Sequence, residues 1–110
     1  MEIITIPCLK DNYAYLLICK KSNEAAIIDP SEAIPVKKVI SQKKVKLTTI
    51  FNTHHHWDHV GGNNELLSEN PELKIFGHVS DKGRIPGQNI FLEKGDNVYF
   101  GEKKGLFIHN

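Results

Sequence analysis

Four of the chain's six histidines fall within six residues, in Thr53-His54-His55-His56-Trp57-Asp58-His59. In an extended backbone, side chains at i, i+2 and i+4 share one side. That spacing would bring His54, His56 and Asp58 together and send His55 and Trp57 the other way. His59 can join them only if the backbone turns after Asp58, and Gly61-Gly62 permits such a turn. Two ligand pairs would then face two neighbouring points, His54 with His56 and Asp58 with His59. Imidazole and carboxylate donors in this mixture suit zinc and other borderline divalent metals, at roughly 2.0–2.2 Å. The device is not the helical H-E-x-x-H pair; it belongs to a loop. Trp57 is expected to pack beside the site and exclude water. His78 and His109 end strand-like segments with no partner pattern and read as structural or exposed. Asp29 closes a strand just before Pro30. It can orient a metal-bound imidazole from behind or simply form a turn, and the residues alone leave both open.

The elements that must position these groups can be read along the chain. "MEIITIP" and "AYLLIC" (Ala14 to Cys19) read as strands joined by the turn-forming "KDNY". "KKSNE" is a second turn, and "AAIID" (Ala25 to Asp29) is a third strand, stopped by Pro30. In "SEAIPVKKVISQKK", Ser31 or Glu32 marks a helix start and Pro35 is tolerable only in its first turn. Val36, Val39 and Ile40 make one apolar face. "VKLTTIFN" (Val45 to Asn52) is a near-continuous apolar and β-branched run, as expected of a strand covered on both faces. The histidine cluster follows at its carboxyl end, where open α/β sheets place ligand sites. Next come a short helix through Leu66 and Leu67 ended by Asn70-Pro71, the strand "LKIFGH", the loop Asp81 to Asn89, and three more strands.

Composition narrows the function classes. The 110 residues suit one domain or part of one, and a formal net charge of +1 gives no strong pull toward nucleic acid or membrane. The lysines at 37, 38, 43, 44, 46, 103 and 104 read as solvated faces. "EIITIP" after Met1 has an early acid and no long apolar core, so no secretory signal is expected. No apolar run approaches the roughly 20 residues of a membrane span. Cys8 and Cys19 form no C-x-x-C pair and read as reduced thiols. These signs together point to the cytoplasm.

At "THHHWDH" the sequence resembles the metallo-β-lactamase superfamily, whose signature is T-H-x-H-x-D-H. Within it, "KDNYAYLL", "IIDPSEAIPV", "LTTIFNTHHHWDHVGGN", "RIPG" and "LEKGDNVYFGE" resemble the glyoxalase II (hydroxyacylglutathione hydrolase) family over essentially the whole chain. The resemblance implies an α/β fold: the first half of an αββα sandwich, a mixed β-sheet with two helices. Residues 1–110 would form a partial domain, with the sandwich's second half and the helical glutathione-binding domain absent.

The same resemblance implies two divalent metal ions, zinc with iron or manganese as alternatives. His54 and His56 would serve the first, and Asp58 and His59 the second. A metal-activated water would hydrolyse S-D-lactoylglutathione to D-lactate and glutathione, with Asp58 also steering a proton. Three further ligands of the family lie beyond Asn110, so the ligand set here is incomplete and the isolated chain's activity is open. The partner implied is a glutathione thioester. An uncovered apolar sheet face would favour self-association. The alternatives are a persulfide dioxygenase-like member with one iron, and a non-catalytic metal-binding remnant.

Overall fold

A computed structural model describes residues 2–9, 12–53, 61–81, 83–93, 97–100 and 103–106. Six strands form one mixed sheet in sequence order. They are β1 (Glu2–Cys8), β2 (Asn12–Cys19), β3 (Glu24–Ile28), β4 (Lys46–Phe51), β5 (Lys74–His78) and β6 (Ile90–Leu92). The first three strands run antiparallel through short turns, and β3 to β6 are parallel. Parallel neighbours need a crossover. Helix α1 (Ala33–Lys43) supplies it between β3 and β4, and α2 (Asn63–Glu69) lies between β4 and β5. A separate antiparallel pair, β7 (Asn97–Phe100) and β8 (Lys103–Leu106), follows.

Period-two alternation decides which face is dry. Ile6, Leu16, Ile27, Ile50 and Ile75 meet Val36 of α1 and Leu66 of α2 in the main core. Burying each such side chain is worth about 1.5–3 kcal/mol. The opposite face carries a smaller cluster of Cys19, Ala26 and Phe100, with Leu17 and Phe51 packed against it. Strand β4 is therefore not equally covered. Ile50 is fully buried under the helices, while Phe51 is half-buried on the other face. A register shift between Ala25 and Ala26 leaves Thr48 as an extra residue opposite β3.

Helix α1 begins where the sequence indicated, with Pro35 in its first turn. Its N-cap residue is Glu32, but that side chain makes no capping bond. Its carboxylate instead accepts the backbone N–H of Leu9 on the β1–β2 turn. The helix ends at Lys44 in the left-handed region. Lys37 of α1 reaches Glu65 at 2.9 Å and Glu69 at 2.5 Å on α2, tying the two helices together. These contacts hold the Lys37 ammonium above the usual lysine range, the bond to Glu69 contributing most and that to Glu65 next. Cys8 and Cys19 are both buried and unbridged. Among the described residues, no helix is long and apolar enough to cross a membrane.

Candidate metal centre

His54, His56, Asp58 and His59 lie outside the described residues, as do His55, Trp57 and His109. What the structure describes is the frame on either side of residues 54–60, and that frame is tightly built. β4 delivers Thr53 to the carboxyl edge of the sheet, where the β3 and β5 ends also lie. Asp29 N donates to Phe51 O and Asn52 N donates to Phe76 O, both at 2.9 Å, so the ladder continues past the last paired residues.

Asp29 holds the entrance. Its carboxylate accepts the Thr53 backbone N–H at 2.7 Å and also the Thr53 hydroxyl. The side chain is buried, and its backbone sits at φ 52°. Few residues other than glycine adopt that left-handed conformation; aspartate is among those that tolerate it. A turn geometry and a charged double acceptor are thus combined in one residue. Asp29 fixes the residue immediately before His54.

Pro30, the next residue, holds the exit. Its carbonyl accepts the N–H of Gly62 at 2.7 Å. A Cβ at Gly62 would lie 2.8 Å from that carbonyl oxygen and 3.0 Å from the backbone N of Ala33. Glycine is required here for close approach, since backbone atoms cannot step aside as a side-chain tip can. Consecutive residues of the β3–α1 turn therefore clasp both ends of the histidine segment.

An amide layer, buried at Asn52 and Asn63, joins the end of β4 to the start of α2. Asn63, fully buried at the start of α2, donates from Nδ2 to Asn52 Oδ1 at 2.7 Å and to Pro86 O at 3.1 Å. Gln88 donates to the carbonyl of His78 at 3.1 Å. Asn89 accepts Ile75 N at 2.8 Å and donates to Leu73 O at 2.9 Å. The Gly- and Pro-rich loop, read from sequence only as a connection, thus props β5 and the α2 start. Sequence reading singled out none of Asn52, Asn63 or Gln88. The available signal was the placement of asparagines directly at the ends of apolar segments, in "IFNT" and "GGNN".

His78 bonds within its own turn. Its Nδ1 accepts the backbone N–H of Ser80 at 3.0 Å and lies 2.6 Å from the Ser80 hydroxyl. Among the described residues, no group of three or more His, Cys, Asp or Glu side chains could hold a metal ion.

This arrangement can be set against known proteins. The profile of the metallo-beta-lactamase superfamily matches residues 10–84. The chain belongs to the metallo-beta-lactamase superfamily. Among curated relatives, a "Hydroxyacylglutathione hydrolase" of Trichormus variabilis is 50% identical over 103 residues, 94% of this chain and 40% of the relative. The chain thus spans about two-fifths of the length of the curated relatives it matches. Among solved structures, the BLEG-1 B3 metallo-beta-lactamase superposes with a TM-score of 0.79 at 18% identity, covering 94% of this chain and 58% of that one. ETHE1 from Myxococcus xanthus gives 0.74 at 24%, covering 94% and 46%. Both likenesses show the superfamily fold: the mixed six-stranded sheet with two helices described above, as the sequence implied.

Proposed function

We propose that this chain carries the metal-binding amino-terminal part of a thioester hydrolase of the glyoxalase II type, with S-D-lactoylglutathione as substrate. The observation that carries the reading is its 50% identity to a hydroxyacylglutathione hydrolase over 94% of its length. The donor chemistry fits. The imidazoles of His54, His56 and His59 and the carboxylate of Asp58 suit a pair of borderline divalent cations. In this reading His54 and His56 hold one ion, and Asp58 and His59 the other. Zinc is the proposed metal, with iron or manganese as substitutes. Bound there, the metals supply an activated water and a counter-charge for the oxyanion of the tetrahedral intermediate.

The chain's own residues do the rest. Asp29 pins Thr53, the residue before His54. Pro30 and Gly62 fix where the segment returns. In this reading Asp58 would also steer a proton during attack on the thioester carbonyl. The two buried thiols, unbridged, suit the reducing cytoplasm to which we assign the protein.

The test is metal content per folded chain, with hydrolysis of S-D-lactoylglutathione assayed on the same sample. Two metals per chain and hydrolysis that EDTA abolishes support the reading. One iron per chain with dioxygen consumption on a glutathione persulfide would move the chain to the dioxygenase class. Less than one metal and no turnover would leave a metal-binding remnant.

A further inference from the structure

We propose, on the metal-binding reading given above, that Gln88 is a positioning residue for the metal centre. Its side-chain oxygen accepts the ring N–H of a metal-holding histidine, and strand register makes that histidine His54. Gln88 Oε1 is buried and has no hydrogen-bond partner among the described residues. The amide cannot turn over to relieve this. Its Nε2 donates to the His78 carbonyl at 3.1 Å, and a carbonyl only accepts, so the nitrogen must stay on that side. Leaving a buried acceptor unmet costs about 1–3 kcal/mol, and native proteins keep few of them.

The loop holds this amide in place. A Cβ at Gly77 would lie 2.9 Å from Gln88 Nε2 and 2.6 Å from Ile85 Cδ1, so the side chain lies close over the β5 backbone. Gly87 is packed as tightly, since a Cβ there would be 2.8 Å from Leu67 Cδ2 of α2 and 3.0 Å from Ile75 Cδ1. Register then sets the oxygen at the root of the histidine segment. Phe51 pairs with Phe76, and Asn52 N donates to Phe76 O, so Gly77 is level with Asn52. The Asn52 side chain meets Asn63 of α2, and Asn63 also donates to Pro86 O, two residues before Gln88. The Asn52 and Gln88 amides thus lie on the helix side of adjacent strands. On period-two alternation, the next residue after Asn52 on that side is His54. A metal-bound imidazole almost always gives its second ring N–H to a carboxylate, carbonyl or water, which fixes its tautomer and angle. Asn52 Oδ1 and Pro86 O are already engaged by Asn63, whereas Gln88 Oε1 still awaits a donor.

The experiment is zinc affinity of the full chain and two variants, by competition with a chromophoric chelator, with urea unfolding of the metal-free forms alongside. Both variants lose the bond to the His78 carbonyl. Gln88→Met also loses the acceptor, while Gln88→Glu keeps one. Q88M should weaken zinc binding by about tenfold or more, and Q88E should stay within about threefold of the unaltered chain. In the zinc-loaded unaltered chain, NMR of the histidine ring nitrogens should show an imidazole N–H protected from solvent exchange, and Q88M should lose it. Equal zinc affinity in all three proteins would overturn the proposal and leave the oxygen to a buried water. Equal loss in Q88M and Q88E, or no protected ring N–H, would reduce Gln88 to a support of β5 and overturn it too. No zinc bound by the unaltered chain would overturn the metal-binding reading itself, and this role with it.

Discussion

The carboxylate of Asp29 grips Thr53 through both its backbone N–H, at 2.7 Å, and its hydroxyl. The pair spans 24 positions in sequence and joins the ends of two neighbouring parallel strands. It makes the histidine segment start from a fixed point. Asp29→Ala removes a buried charged acceptor and places a Cβ-only residue in the left-handed region. We expect a loss of about 1–3 kcal/mol. Asp29→Asn keeps the backbone tolerance and one acceptor, so it should cost less. Thr53→Ala, which loses only the hydroxyl bond, should cost about 0.5–1.5 kcal/mol. Urea unfolding of the three variants measures this order, and an order with D29N worst would contradict it. Zinc affinity should fall in parallel.

Gly62 is the counterpart at the other end. Gly62→Ala brings its Cβ within 3.0 Å of backbone at Pro30 and Ala33. The expected cost is about 1–3 kcal/mol from overpacking. Gly83 makes a useful control for a different cause. A Cβ there meets nothing, but φ is 86°, so Gly83→Ala pays only backbone strain. Thermal melts of the two should separate a crowded glycine from a conformational one, and metal binding should suffer only in G62A.

Asn63 tests the amide layer. Asn63→Leu has similar volume but strands Asn52 Oδ1 and Pro86 O without their donor. Leaving buried acceptors unpaired costs about 1–3 kcal/mol. Asn64, its exposed neighbour in the same helix, should tolerate leucine within about 0.5 kcal/mol. Equal stability of the two variants would mean that the layer contributes nothing.

Alkaline pH should weaken the fold. Burial pushes the Cys8 thiol up from its ordinary 9.0, and Glu69 with Glu65 pushes Lys37 up from 10.5. In both cases the folded state holds its proton longer than the unfolded chain. The stabilisation is complete below the unfolded pKa and is lost as pH rises through the folded one. Stability measured in urea should therefore be level near neutrality and decline above about pH 9, first through Cys8 and then through Lys37. Cys8→Ala should flatten the earlier part of the decline, and Lys37→Met the later part. A curve unchanged in both variants would refute the assignment. In the same protein, Cys8 should resist thiol reagents at neutral pH until the chain unfolds.

Much of this protein was determined by its sequence alone. The proposed ligands His54, His56, Asp58 and His59 were read from residue types and spacing, and they lie outside the described residues. The strands follow from period-two alternation, and α1 from Val36, Val39, Ile40 and a proline confined to the first turn. The tertiary structure decided what local pattern cannot. Glu32 is the N-cap residue of α1, as the sequence indicated, but its carboxylate serves the β1–β2 turn. β4 looked covered on both faces; on the face away from Ile50, Thr49 is buried and Phe51 half-buried. Asp29 had two open readings; the structure shows the turn geometry, with the carboxylate on Thr53, while the imidazoles it would orient lie outside the described residues. Gln88 carried no local signal and Asn63 only its place in "GGNN", because their partners lie 10 and 11 residues away across loops. Such contacts depend on which strands become neighbours and in what register. Those are properties of the whole sheet, set by crossovers and packing rather than by any one segment.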